Sequence, residues 1–372
     1  MRFLILITCM LVLSGQAVAQ HRHHDRVIEF PDVPGFLTLE TDLHIHTVFS
    51  DGDVWPTIRV EEAMRDGLDV IAMTDHIEYQ PHKEDIPNPN RNRSYDLAAS
   101  AAGESDLIVI RGSEITREMP PGHSNAIFLE DANALLVDDP MEAFRAAKRQ
   151  GAFIFWNHPM WEAQASDGVA RLSEMHRQLI REGLLNGIEV VNDITYSEEA
   201  LQIALDHNLT IMGTSDIHGL VDWQFEVPEG GHRPITVVLA GERSTEALKE
   251  ALFAGRTVVW YEDVLVGKEE NLLPLLEASI GASSSGYEDE TAIVGVDLKN
   301  ESSATFLLRS TGDHLFHDRA GVFTLGPHET LHLRVKTLTR MEEVELEFEV
   351  LNAVTAPGRH PVVGFKVLGP RS

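Results

Sequence analysis

From Thr38 to about Val264 the chain alternates short apolar runs with amphipathic stretches. Leu39–His44, Leu68–Thr74, Leu107–Arg111, Ala126–Leu129, Phe153–Trp156, Ile188–Val191, Thr210–Gly213, Ile235–Leu239 and Thr257–Tyr261 read as strands. Several are apolar throughout, as expected of strands buried on both faces. Between them, Pro56–Arg65, Pro140–Arg149, Ala170–Glu182, Ser197–Asp206 and Thr245–Ala254 read as helices. Proline opens two of these, and Gly67, Gly151 and Gly183 follow helix ends, the usual asymmetry of helix termini. Repeated βα units predict an α/β domain whose parallel sheet is either closed into a barrel or doubly wound.

After about residue 270 the pattern changes. Ala292–Leu298, Ala304–Arg309, Thr330–Lys336, Glu343–Val350 and Val362–Val367 are alternating or β-rich. Gly326-Pro327, Asn352 and Pro357-Gly358 punctuate them. This predicts a small C-terminal β-sandwich over 275–372, with Ser283–Ser285 in a linker. Phe306, Phe316, Phe323, Phe348 and Phe365 fall mostly at core positions. His314, His317, His328 and His332 are ungrouped and read as surface residues.

The first residues read as an export signal. Met1-Arg2 is followed by the apolar Phe3–Leu13 and by Ala17-Val18-Ala19, a small-x-small cleavage pattern. A signal peptide over 1–19 places the mature chain in the periplasm or outside the cell. Residues 20–37, with Pro31, Pro34, His21, His23 and His24, read as a flexible arm. The single cysteine, Cys9, lies within the signal, so thiolate metal sites and cysteine nucleophiles drop out. A net charge of -29 repels nucleic acid. The partner is therefore a small molecule, with no membrane contact after cleavage and a homo-oligomer allowed.

Five histidine and carboxylate motifs sit at strand ends: Asp42-Leu43-His44-Ile45-His46, Thr74-Asp75-His76, Gly112-Ser113-Glu114 with Gly122-His123, Asn157-His158-Pro159, and Ser215-Asp216-Ile217-His218. His-x-His on a strand points both imidazoles to one side. Residues from five strand ends converge only if those ends form a ring, which favours the barrel over an open sheet. Imidazole with carboxylate suits Zn, Mn or Fe, and paired metals activate water against phosphate esters. Glu114 is the best candidate to bridge two ions. Asp51, in the Ser50-Asp51-Gly52 turn, can reach back to the site. Of Asp75 and His76, His76 is the better ligand candidate. His123 and His158 gain weight from their company.

In this order the motifs resemble those of the PHP (polymerase and histidinol phosphatase) superfamily, over about residues 38–264. The stretches His46-Thr-Val-Phe-Ser-Asp-Gly, Trp55-Pro-Thr-Ile-Arg-Val-Glu-Glu62, Pro120-Pro-Gly-His-Ser-Asn-Ala-Ile127 and Phe155-Trp-Asn-His-Pro159 look like an exported bacterial phosphodiesterase branch with a small C-terminal domain. The resemblance implies a distorted (β/α)7 barrel over 38–268 that holds two or three divalent ions. It implies a first site of His44, His46, Glu114 and Asp216, and a second of Glu114, His123 and His158. Asp51, His76 and His218 would hold a third ion, or act directly on substrate. His218 is then the candidate acid for the leaving group.

The implied reaction is hydrolysis of a small phosphodiester to a monoester and an alcohol. A phosphomonoesterase of histidinol-phosphatase type is the alternative. An amidohydrolase and a non-catalytic metal-binding protein rank lower. Neither a Gly-x-Ser-x-Gly elbow nor a P-loop is present. Arg59, Lys83, Arg91, Arg93 and Arg117 are candidate phosphate clamps, with Lys83 and Arg117 nearest the motif loops.

Overall fold

A computed structural model describes residues 26–368. The signal-peptide reading, Cys9 and the three arm histidines lie outside the described residues. The N-terminal unit contains strands β1 (Leu37–Ile45), β2 (Val70–Met73), β3 (Ile108–Ile115), β4 (Ser124–Ile127), β5 (Phe153–Trp156), β6 (Gly187–Asn192), β7 (Thr195–Tyr196), β8 (Thr210–Thr214), β9 (Ile235–Ala240), β10 (Thr257–Tyr261) and β11 (Val264–Gly267). Its helices are α1 (Pro56–Asp66), α2 (Arg93–Ala102), α3 (Pro140–Arg149), α4 (Glu174–Arg181), α5 (Glu198–His207), α6 (Val221–Gln224), α7 (Thr245–Phe253) and α8 (Glu269–Ser279).

Helix ends follow local chemistry. Pro56 opens α1, and Gly67 closes it at φ 76°, a left-handed conformation that glycine adopts without strain. The Ser197 hydroxyl caps α5 by accepting from the Ala200 N–H. The apolar runs of β2 and β5 are buried at every residue.

The sheet runs β11-β10-β9-β1-β2-β3-β4-β5-β6, with β8 paired to β6. It curls until a parallel bridge between Ile45 and Ile217 joins the exit of β1 to the exit of β8. The sheet is mixed rather than parallel throughout. β4 is antiparallel to β3 and β5, and β9 is antiparallel to β1 and β10. Only eight residues separate β3 from β4, too few for the crossover that a parallel pair needs. Threonine hydroxyls stitch β8 to its neighbours beside the ladder. Thr236 Oγ1 donates to the Gly213 carbonyl at 2.7 Å, and Thr257 Oγ1 donates to the Ile211 carbonyl at 2.7 Å. A Cβ on Gly213 would meet Val259 Cγ1 at 2.1 Å, so glycine is what lets β8 lie against β10.

The C-terminal unit is a sandwich of two four-stranded antiparallel sheets. One contains β12 (Ile280–Tyr287), β13 (Ile293–Asn300), β15 (Leu315–Phe316) and β17 (Thr330–Lys336). The other contains β14 (Phe306–Ser310), β16 (Val322–Leu325), β18 (Glu343–Val350) and β20 (Val362–Leu368). Between β18 and β20, β19 (Ala353–Val354) pairs in parallel with β11 of the first unit. β18 alternates buried and exposed residues as its sequence predicts. Phe316, Phe323, Phe348 and Phe365 stack among themselves.

Two expectations are corrected here. Ser283–Ser285 is not a linker but part of β12. The junction is instead α8, whose Leu272, Leu275 and Leu276 are buried. Residues 26–37 are not a loose arm. Ile28, Phe30 and Val33 are buried, and Phe30 packs edge-on against Trp260 at 5.4 Å. The Ile28 N–H donates to the Asp66 carbonyl, and the Ser303 N–H donates to the Glu29 carbonyl. Arg26 pairs with Asp66 and Asp222, each at 2.6 Å. The prolines that suggest disorder separate apolar residues that complete a core, and burial outweighs the polar flanks. One apolar cluster thus runs from Ile28 and Trp260 through Leu276 into Val296, Phe306 and Phe348.

Phe30→Ala is expected to destabilise the protein by about 3 kcal/mol in urea unfolding. A change below about 0.5 kcal/mol, typical of surface positions, would mean that the segment is an appendage.

Candidate metal centre

The site forms where the strand exits meet. Period two places His44 and His46 on the same face of β1 as the buried Asp42. Arg59 locks that exit to the one after β8. Its Nε donates to the His46 carbonyl at 3.0 Å, and its NH2 donates to the His218 carbonyl at 2.7 Å. Glu62 neutralises it at 2.7 Å. Asp75 fixes the next turn, accepting from the Thr47 N–H at 2.8 Å and from Ser50 Oγ at 2.7 Å. The turn carries Asp51. A Cβ on Gly52 would meet Thr47 N at 2.7 Å, so Gly52 permits this close fold-back.

All nine candidate ligands lie together. Glu114, fully buried, sits at their centre. Its Oε2 is 3.6 Å from His44 Nε2, 3.4 Å from His46 Nε2 and 2.8 Å from His76 Nδ1. Its Oε1 is 3.0 Å from His123 Nδ1 and 3.4 Å from His158 Nε2. Asp216 Oδ1 lies 3.1 Å from His44 Nε2 and 3.0 Å from His46 Nε2. Asp51 faces His76 at 3.2 Å and His218 at 3.3 Å.

These spacings fit metal ligation. Donors about 2.1 Å from one ion lie about 3.0–3.4 Å from each other, depending on geometry. His44, His46 and Glu114 form one such group, and Asp216 Oδ1 lies at ligand spacing from both imidazoles. Glu114 presents one oxygen to each half of the cluster, as a bridging carboxylate does. Asp51 Oδ1, Glu114 Oε2, His123 Nδ1 and Asp216 Oδ1 are buried with no hydrogen-bond partner. Such orphaned groups are costly unless a cation satisfies them. Two donors sit on strained backbone, His158 at φ 31° and Asp216 at φ 49°, a strain found where function over-determines geometry.

The electrostatics agree. Burial disfavours charge on His76, but Glu114 and Asp51 outweigh it and push its pKa up to about 10. Burial also opposes charge on His44, and Asp216, Glu189 and Glu114 raise it well above the ordinary range. His46 goes the other way, to about 4, through burial and the neighbouring His218. Burial raises the Glu114 carboxyl, yet His76, His123 and His44 hold it well below the usual carboxylate range. The cluster therefore carries protons that an incoming cation must displace.

Several positioning residues escaped sequence reading. Glu189 is fully buried. It lies 2.8 Å from His44 Nδ1, and accepts from the His158 N–H at 2.6 Å and from Thr214 Oγ1 at 2.6 Å. Its signal was a lone carboxylate inside the apolar run Ile188–Val191. Asn157 Nδ2 donates to Glu114 Oε1 at 2.9 Å, and Gln164 Nε2 lies 3.1 Å from His158 Nδ1.

The expected phosphate clamps are not in the site. A cavity of about 680 Å³ opens over the donors, and no lysine or arginine lines it. Arg59 is a buried strut, as described above. Arg117 is held by Glu78 at 2.8 Å and by the Val137 carbonyl at 2.5 Å. Arg91 donates to the Ile77 carbonyl. Lys83 and Arg93 are exposed and outside the cavity. Local acceptors hold the three arginines away from the cavity, and Lys83 and Arg93 face solvent.

Glu189→Gln is expected to weaken metal binding about 10- to 100-fold in chelator competition, the usual cost of removing a carboxylate behind a ligating histidine. Unchanged affinity would reduce Glu189 to a space-filler. Because His44 and His76 gain pKa, protons compete with metal at lower pH. Affinity should therefore rise from about pH 6 to about pH 8, with proton release visible as buffer-dependent binding heat. A flat profile would contradict that.

A family model described as an Ig-like domain matches residues 280–366. No curated protein matches the chain. Among solved structures, it is similar to a two-domain protein from Bacteroides vulgatus ATCC 8482 containing a predicted PHP-like metal-dependent phosphoesterase. Identity is 40%, coverage is 91% of this chain and 98% of that one, and the TM-score is 0.85. Weaker likenesses are to a candidate metal-dependent phosphoesterase from Bifidobacterium adolescentis ATCC 15703 (20% identity, 48% and 87% coverage, TM-score 0.39) and to an amidohydrolase from Chromobacterium violaceum with bound sulfate (15%, 48% and 87%, TM-score 0.34). The last two are too distant to bear on function. With the donor cluster, the curled sheet and the Ig-like sandwich all in place, the chain belongs to the two-domain PHP-like metal-dependent phosphoesterases, a family of hydrolases.

Proposed function

We propose that the protein hydrolyses a small-molecule phosphodiester to a monoester and an alcohol. The observation that supports this reading over a monoesterase is the cavity lining, which contains no lysine or arginine. A phosphomonoester carries about -1.5 to -2 charges near neutral pH, whereas a diester carries one. A cavity that leaves neutralisation to its ions suits the smaller charge, and its volume leaves room for a second ester group.

Two or three ions of Mn, Zn or Fe would be held by His44, His46, Glu114 and Asp216, by Glu114, His123 and His158, and by Asp51, His76 and His218. When bound, they would supply Lewis-acid neutralisation of the phosphoryl oxygens and acidify water. The side chains do the rest. Glu114 and Asp216 set a negative floor that would draw the ions into the site. His218 Nε2 faces Asp51 Oδ1 at 3.3 Å, and its Nδ1–H is placed to donate to the Asp216 carbonyl at 2.7 Å. Burial opposes its charge, but Asp51 and Asp216 raise its pKa. A proton held at Nε2 is thus available to the leaving oxygen where Asp51, His76 and His218 hold no third ion.

The fold proposal is a distorted (β/α)7 barrel, counting β1 to β6 and β8 as its ring. The export signal proposed from the first residues would place the enzyme in the periplasm or outside the cell, as a monomer or homo-oligomer.

With full-length, metal-loaded protein, kcat/KM for bis(4-nitrophenyl) phosphate is expected to exceed that for 4-nitrophenyl phosphate by about tenfold or more. A clear monoester preference would overturn the diesterase reading.

A further inference from the structure

We infer that the diester cleaved here carries a protonated or quaternary amine on one of its alcohols, held by Trp161, Glu162, Asp193 and Glu199. The inference rests on the diesterase reading and adds the substrate class.

Beyond the metal donors, two segments wall the cavity. One is the loop after β5, with Trp161 and Glu162. The other runs from the β6–β7 turn to the start of α5, with Asp193, Tyr196 and Glu199. Trp161 is half exposed, and its ring lies 5.1 Å from the His158 ring and 5.7 Å from the His123 ring. It therefore offers an aromatic face directly beside the second set of donors. Glu162, Asp193 and Glu199 add three carboxylates that are not metal donors.

None of the three pairs with lysine or arginine among the described residues. Asp193 accepts from Gln224 Nε2 at 2.8 Å, and Glu199 accepts from Ser197 Oγ at 3.1 Å. Both donors are neutral and leave the carboxylate charge uncancelled. Arg171, whose field reaches Glu199, is held by both oxygens of Asp167 at 2.9 Å. The Tyr196 hydroxyl is buried without a partner, and burial with Glu198 and Glu199 pushes its pKa to about 12. It remains a neutral donor.

An indole face with three uncancelled carboxylates attracts a cation by both quadrupole and charge. The same wall repels a second anionic group, such as a further phosphate. A neutral sugar would stack on the indole but gain nothing from the net charge. The reaction keeps the amine intact. Water's oxygen bonds to phosphorus, one P–O ester bond breaks, the departing alkoxide takes the His218 Nε2 proton, and the proton lost by the water restores it.

The test compares two isosteric diesters on full-length, metal-loaded protein: 4-nitrophenyl phosphocholine and 4-nitrophenyl 3,3-dimethylbutyl phosphate, in which carbon replaces the charged nitrogen. The choline ester is expected to have a kcat/KM about tenfold higher. That ratio should fall toward one in Trp161→Leu and in Glu162→Gln, read as the ratio within each variant so that overall activity cancels. Equal rates for the two diesters, or a preference for the neutral ester or for a 4-nitrophenyl glycosyl phosphodiester, overturn the amine assignment and leave the diesterase reading standing. Cleavage of 4-nitrophenyl phosphate alone overturns both.

Discussion

A single buried carboxylate organises this molecule. Glu114 has no exposed surface and lies within 3.6 Å of five imidazoles. A carboxylate so placed is tolerable only when surrounded by positive charge, whether protons or metal ions. The His44–His46 pair comes from the exit of β1, His76 and His158 follow β2 and β5, and His123 stands at the entry of the antiparallel β4. The curl of the sheet, the bridge closing β1 onto β8 and the tight turns that follow all serve to bring those exits within reach of one side chain.

Charge that does not ligate is spent on holding the donors still. Arg59 joins the carbonyls of His46 and His218. Asp75 pins the loop that carries Asp51. Glu189 spans His44, His158 and Thr214 from one carboxylate. These buried groups are fully paired among themselves, which is what makes them rigid rather than costly. Among the candidate donors, by contrast, Asp51, Glu114, His123 and Asp216 each keep a buried atom without a hydrogen-bond partner. That contrast separates the scaffold of the site from its working face.

The rest of the architecture stabilises the same surface from behind. The segment around Phe30 fills the space beside Trp260, and α8 carries the apolar core across into the sandwich. The sandwich brings no clustered donors among its described residues. Its contribution is packing, through the pairing of β19 with β11 and the leucines of α8. The wall facing the donors is acidic and aromatic, so the site's positive charge must come from what it binds.

Local signals made much of this legible. Strands whose pattern is short-range, such as Phe153–Trp156 and Glu343–Val350, were readable from apolar runs and alternation. The nine candidate donors that the structure brings together were named from motif and strand-end position, because donor chemistry needs particular residue types at fixed spacing. What the sequence could not carry was long-range. The antiparallel turn of β4, the burial of Ile28 and Phe30, and the role of Glu189 depend on neighbours far away in the chain. Arginines show this most clearly. Arg59 and Arg117 look like phosphate clamps in sequence, yet each finds acceptors nearer at hand. Residue type and spacing determine which groups can ligate. Only the closed sheet decides which charges face the cavity, because burial, and the cost of leaving a charge unpaired there, is a property of the whole fold.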